Sequence, residues 1–231
     1  MLPKLDPERD VLFEDNHLLI VNKPFGMLSQ GDDTGDDSVV EWAKAYIKEK
    51  YNKPGNVYLG LIHRLDRPAG GALVLARTSK AAARVSKQFQ GKEVQKIYHI
   101  VTEGVPKPAA GTLSHHIRKL PNKNIVRAHP KPVDGAKPAK LEYRVLSVNQ
   151  GKALVEIRLI TGRRHQIRAQ MATKGTPVLG DVKYGASGFL PDQDIALLAR
   201  EVSLVHPTQK EPLTVTAPWP DKDWWKGFQL D

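Results

Sequence analysis

No cysteine occurs among the 231 residues, which excludes disulfides, thiolate metal sites and cysteine nucleophiles and gives no sign of an oxidising compartment. Long apolar runs are missing too. Nothing approaches membrane-spanning length, and the opening stretch, Met1 to Asp10, lacks the apolar core of a signal peptide. A cytoplasmic protein without membrane association is expected. The sequence also lacks HExxH, a Cys/His zinc cluster, a phosphate-binding GxxxxGK[ST], a dinucleotide GxGxxG and a GxSxG nucleophile elbow. Metal hydrolysis, nucleotide hydrolysis and serine-esterase chemistry thereby lose their usual signatures. Acidic residues are the scarcer charge: 25 Asp and Glu against 35 Lys and Arg leave a net charge of +10 and a pI near 9.7. Such an excess suits a polyanionic partner, because cations that displace counterions from a phosphate backbone supply most non-specific nucleic-acid affinity. A merely basic soluble protein has the same balance.

The length suits one large domain or two small ones. With no internal repeat and no convincing linker, one continuous domain over residues 1–231, with its core at about 11–218, is expected. Val11 to Asn22 holds two apolar stretches around Glu14-Asp15-Asn16-His17, a β-hairpin pattern. Ser38 followed by Glu41 is a capping box, and Val39, Trp42, Ala43, Tyr46 and Ile47 share one face of a helix over 38–50. Residues 58–65 and 72–76 are strand-like, with turn formers between them. Ser79 can cap a second helix that buries Ala82, Val85 and Phe89. After a strand at 97–101, the segment 105–140 carries eight Lys and Arg against the single Asp134 and reads as an extended basic hairpin and loop, or as a solvated insertion. Strands follow at 141–148 and 153–159, then a helix over 163–174 stopped by Gly175, and short strands at 196–198 and 213–216. Strands and helices do not alternate regularly, so the class is α+β with a mixed or largely antiparallel sheet.

Three groups of residues have the types that chemistry needs. His63-Arg64-Leu65-Asp66-Arg67 ends an apolar strand at a glycine-rich turn, where a scaffold presents a side chain rigidly yet accessibly. Cations on both sides of Asp66 would keep it a carboxylate, the form a nucleophilic aspartate requires. On these five residues alone a surface ion pair is the simpler account. In Arg163-Arg164-His165-Gln166-Ile167-Arg168, the expected helix puts Arg164 and Arg168 one turn apart near the positive end of its dipole. Anions from outside, a phosphate backbone for one and Asp66 for the other, would relieve that arrangement. A basic protein that places arginines there without purpose is the alternative. Lys96 and Tyr98 fall on one face of a strand, and Tyr98 fits a general base, a base-stacking platform or plain packing.

In this order Asn22-Lys23-Pro24-x-Gly26, His63-Arg64-Leu65-Asp66-Arg67, Lys96-x-Tyr98, Thr161-Gly162-Arg163-x-His165-Gln166-Ile167-Arg168 and Gly180-Asp181-x-x-Tyr184-Gly185 resemble the RluA-type pseudouridine synthases over about residues 11–218. The resemblance implies a pseudouridine synthase fold: a central, mostly antiparallel mixed sheet flanked by helices, with a basic catalytic cleft between two halves. It implies Asp66 as nucleophile, Tyr98 against the target base and in removal of the C5 proton, and Arg168 as partner of the catalytic carboxylate. Arg64 would fill the space left by an extruded uridine, and Lys23, His63, Arg67, Lys96, Arg164, His165 and Gln166 complete an RNA-binding set. Attack at C1′, addition to C6 and a glycal route all remain open; none needs a cofactor or metal. The turn after the nucleophile departs from the family's common Asp-Thr-Ser-Gly, being Pro68-Ala69-Gly70-Gly71. No separate N-terminal RNA-binding domain is expected, which leaves specificity to the cleft and to the 105–140 segment. The expected partner is structured RNA, ribosomal ahead of transfer RNA, bound by a monomer. The rivals are a non-catalytic RNA-binding or ribosome-assembly protein on the same fold, and a metal-dependent nuclease, which usually needs more carboxylates than these motifs hold.

Overall fold

A computed structural model describes residues 5–228 apart from 122, and residue 230. In chain order its elements are α1 (Pro7–Asp10), β1 (Val11–Glu14), β2 (Leu18–Lys23), α2 (Val39–Lys50), β3 (Gly60–Leu61), β4 (Gly70–Ala76) and α3 (Ser79–Gly91). There follow β5 (Gln95–Glu103), β6 (Ala110–Lys119), β7 (Val126–His129), β8 (Lys137–Asn149), β9 (Lys152–Leu159), α4 (Gln166–Thr173), β10 (Leu197–Val205) and β11 (Pro212–Thr216). Among the described residues no helix is long and apolar enough to cross a membrane.

The chain divides into two compact units, Met1–Gln95 with Ala199–Pro218, and Lys96–Leu198 with Trp219–Asp231. Two of the three chain boundaries fall inside strands, β5 and β10, so no linker composition marks them; the third, between Pro218 and Trp219, follows β11. In the first unit β1 and β2 form the expected hairpin, its turn held by the Asp15 carboxylate, which accepts from the His17 and Leu18 N–H groups at 2.8 and 2.7 Å. β2 lies antiparallel on β4 from Leu18↔Ala76 to Lys23↔Gly71, and β11 lies antiparallel on β10. Every residue of β4 is buried, as an unbroken apolar run demands of a central strand. Leu18, Ile20, Val74, Val85, Val202, Leu204 and Val215 make the core, with Ile62 and Phe89 against it. Ser38 caps α2 as expected, accepting from the Glu41 N–H. For α3 the cap is Thr78 and not Ser79, because Thr78 keeps extended backbone and its hydroxyl accepts from the Ala81 N–H. The expected strand at 58–65 shrinks to Gly60–Leu61; the residues beyond it turn away to form the loop that carries Asp66.

The second unit is an antiparallel array in the order β5-β9-β8-β6-β7. Isolated bridges of parallel sense join Leu28 to Ser38 in the first unit and Gly104 to Lys152 here. The 105–140 segment supplies β6, β7 and the start of β8, so the expected basic hairpin is a built part of this sheet. Ile117, Val126, Ala128 and Ala139 pack with Ala169 of α4. That helix is shorter than the expected 163–174. Its N-cap, His165, has a left-handed backbone with φ of 48°, which helical continuation from Arg163 cannot accommodate. β10 extends well past the expected 196–198, since Arg200 and Glu201 interrupt the apolar run while Val202 and Leu204 resume it.

Candidate active site

Asp66 sits in the first unit on the loop between β3 and β4, half-buried, between exposed Arg64 and Arg67. A second loop, residues 23–29, braces it. The Ser29 hydroxyl donates to the Leu65 carbonyl at 2.9 Å and accepts from the Leu65 N–H at 3.1 Å. The Gly26 N–H donates to the Arg67 carbonyl at 2.9 Å, and Arg67 Nε returns a bond to the Gly26 carbonyl at 3.0 Å. Lys23, only 1% exposed, directs its ammonium at the carbonyls of Pro24, Met27 and Arg67 at 2.9, 2.6 and 3.1 Å. An ammonium has three protons, and three carbonyl oxygens answer them. Lys23 therefore joins the two loops on either side of the aspartate. The Ala69 N–H closes the turn onto the Asp66 carbonyl at 3.0 Å. Arg67 also pairs with Asp36 at 2.8 Å. His63 accepts the Val74 N–H on Nε2 at 3.1 Å and stacks on Phe89. An acceptor nitrogen fixes that ring as a packing and hydrogen-bonding element of the loop.

The Pro68-Ala69-Gly70-Gly71 turn has a steric reason. A Cβ at residue 70 would lie 2.5 Å from the Phe25 ring, and one at residue 71 would lie 2.3 Å from the Ala199 carbonyl oxygen, with φ already at +110°. Both positions thus require glycine. Phe25, from the Lys23 loop, fills the space that a serine side chain at 70 would occupy.

In the second unit the strand alternation expected of β5 holds: Lys96, Tyr98 and Ile100 are all buried, Tyr98 to 7% exposure. Burial lowers the pKa of Lys96, because a low-dielectric surrounding penalises the charged ammonium. Its Nζ lies beside Gly162, 3.8 Å from where a Cβ there would stand, an ordinary contact distance. Gln166 is 3% exposed, and its amide organises the turn ahead of α4. Its Oε1 accepts from the Thr161 hydroxyl at 2.8 Å and the Arg163 N–H at 3.0 Å, while Nε2 donates to the Lys140 carbonyl at 3.1 Å.

The repulsion expected between Arg164 and Arg168 on one helix does not arise. Arg164 precedes the left-handed residue that starts α4, and its guanidinium donates to the Asn124 side chain. Arg168, in the first turn, forms a two-bond fork with Asp181, Nε to Oδ2 at 2.6 Å and a terminal nitrogen to Oδ1 at 2.8 Å, and lies over the Tyr184 ring. The side chains of this pair are 5% and 1% exposed. The Tyr184 hydroxyl accepts from the Val126 N–H at 2.9 Å and meets His165 Nδ1 at 2.9 Å. The sequence motif that holds Asp181 and Tyr184 suggested no role for either, and the fold gives them one. Ser29 and Phe25 carried no signal, since nothing in a lone serine announces a partner 36 residues away.

A model of the RNA pseudouridylate synthase family matches residues 17–173. The chain belongs to the RluA-type family of RNA pseudouridine synthases, which are isomerases. It is 34% identical over 218 residues to the uncharacterized RNA pseudouridine synthase YhcT of Bacillus subtilis, covering 92% of this chain and 69% of that one. It is 30% identical to ribosomal large subunit pseudouridine synthase C of Vibrio cholerae, covering 91% and 66%. The chain spans about two thirds of the length of the curated relatives it matches. The solved human RNA pseudouridylate synthase domain containing 4 superposes with a TM-score of 0.76 at 27% identity, covering 92% of this chain and 89% of that one. The α+β pseudouridine synthase fold is thereby established for this synthase.

Proposed function

We propose that this synthase isomerises specific uridines in structured RNA, with Asp66 as the nucleophile and the target base flipped out of its stack. The observation that carries the reading is the bracing of the Asp66 loop, where a buried lysine, a buried serine and two glycines forced by close packing hold an accessible carboxylate between exposed arginines. A surface ion pair needs no such support, whereas a nucleophile must be held in attack geometry. The reaction breaks the bond between C1′ and N1, turns the uracil, joins C1′ to C5 and passes the C5 proton to a base. Atoms balance without an external reactant, so the enzyme works without cofactor or metal. Tyr98 is the proposed C5 base, and Arg168 the cation that answers the catalytic carboxylate. Exposed Arg64 fills the vacancy left in the RNA, since a flipped base leaves a stack to be propped. Ribosomal RNA is preferred over transfer RNA, a choice supported by the names of relatives such as ribosomal large subunit pseudouridine synthase C. A cytoplasmic setting fits a cysteine-free chain, and the proposed form is a monomer.

The deciding experiment is Asp66→Asn, assayed for pseudouridine in single turnover with enzyme in excess over RNA. The amide is nearly isosteric and a poor nucleophile, so fold and RNA affinity persist while product disappears. Appreciable turnover by this variant overturns the assignment of Asp66.

A further inference from the structure

On the array β9-β8-β6-β7, one face packs on α4 and the other is open, and the charges on the open face are arranged in two different ways. Along β8 and β9 they are paired: Arg158 with Glu142 at 3.3 Å and Arg144 with Glu156 at 3.1 Å, each a direct cross-strand couple. Where β6 meets β7 the couple is Arg118 opposite Arg127, both exposed, with no ion-pair partner among the described residues. Directly opposed residues of an antiparallel pair point to the same side, and like charges there destabilise the sheet. Exposed Lys140 of β8, opposite Ser114 of β6, adds a third cation to the same strip. Next to the arginines stand His116 and His129, also directly opposed, with His116 Nδ1 and His129 Nε2 shielded and unpartnered. The strip thus departs from what stability alone would select, while the neighbouring strands obey it.

The hairpin is also fixed in place. Asn124 at its tip is held by Arg164, and the Val126 N–H that opens β7 is held by Tyr184, whose ring carries Arg168 and whose hydroxyl meets His165. The motif residues of the second unit therefore set the position of the cationic strip.

We infer that this open face, centred on Arg118, Arg127 and Lys140, is a docking surface for the phosphate backbone of an RNA helix. The inference rests on the reading of the chain as an RNA-modifying enzyme and adds the surface that grips the stem around the target. The chemistry is that of backbone recognition: cations spaced across strands neutralise successive phosphates and carry no base information, as suits an A-form helix read by shape.

The test is Arg127→Glu, which converts the repulsive couple with Arg118 into a cross-strand ion pair. A labelled RNA stem–loop serves as probe, with Arg144→Gln as the control on the same face. Arg127→Glu should weaken binding of the stem–loop by about tenfold or more and lower the slope of log affinity against log salt by about one for each phosphate that is no longer neutralised. Its melting temperature should stay level or rise. Arg144→Gln should change affinity much less. Unchanged affinity and salt slope in Arg127→Glu overturn the docking surface, and so does a control that loses about half as much in log affinity or more, which, for half the change in charge, would indicate net charge alone. Pseudouridine formation by the unaltered enzyme at saturating concentration tests the activity separately, so failure of one reading is distinguishable from failure of the other.

Discussion

Replacing Ser29 with alanine removes a hydroxyl that makes two bonds to one residue beside the proposed nucleophile, donating to the Leu65 carbonyl at 2.9 Å and accepting its N–H at 3.1 Å. Ser29 is 5% exposed and Leu65 is 7% exposed, so solvent is poorly placed to replace the missing partner. Leaving a buried donor or acceptor unpaired costs about 1–3 kcal/mol per group, and partial relaxation of the loop brings the expected loss for the two to about 3 kcal/mol. In a chain of this size each kcal/mol moves the melting temperature by roughly 2–4 °C, so a fall of about 6–12 °C is expected. The Lys23 and Gly26 bonds to the Arg67 carbonyl remain. Asp66 is then displaced and not released, and a displacement near 1 Å costs about a hundredfold in rate. Single-turnover kinetics should show that loss at unchanged RNA affinity, with thermal unfolding run beside it. A lowered melting temperature with a normal rate would refute the positioning argument, and no change in either would refute the energetic one.

Tyr98→Phe keeps the aromatic face and removes the hydroxyl, so RNA affinity should persist while release of tritium from C5 of the uridine slows by about a hundredfold, the scale of a missing general base; normal release would send the search for the base elsewhere. Glu14 accepts bonds from Tyr46, Tyr51 and Lys50 at 2.7 Å each and from Arg77 at 3.0 Å. Burial pushes its pKa up, but the bonds from Lys50, Tyr46 and Tyr51 outweigh this and hold it below the ordinary 4.5. A depressed carboxylate stabilises the fold above its unfolded pKa, and that stabilisation is lost as the pH falls through the folded value. Glu14→Gln should therefore cost about 2 kcal/mol at neutral pH, with the gap to the unaltered protein closing under acid conditions. Thermal unfolding from neutral to acid pH reads this directly, and a gap independent of pH contradicts it.

Legibility in the sequence tracked the range of the interaction. The hairpin at 11–23, the cap of α2 at Ser38 and the shared face of Lys96 and Tyr98 in β5 depend on neighbours a few residues away, and they were all readable. The start of α4 was misplaced because its cause is not local. Gln166 reaches across to Thr161 and to the Lys140 carbonyl, and that fold-back sets His165 in a left-handed conformation ahead of the helix. The same error produced the expected clash of Arg164 with Arg168. Beside the RNA contacts expected of Lys23, His63 and Gln166 stands another use of a polar side chain, which is to satisfy buried backbone groups. All three do so here.

By itself the sequence determined the α+β class, the family through five ordered motifs, and Asp66 as the residue to test, because these rest on residue identity and short spacing. Only the tertiary structure decided that Ser29 and Lys23 hold the Asp66 loop, that Phe25 makes Gly70 obligatory, that Arg168 forks onto Asp181, and that Arg118 stands opposite Arg127. Each of these depends on strand register or loop closure across tens of residues. Register follows from the burial of whole strands at once, so no local window of sequence contains it.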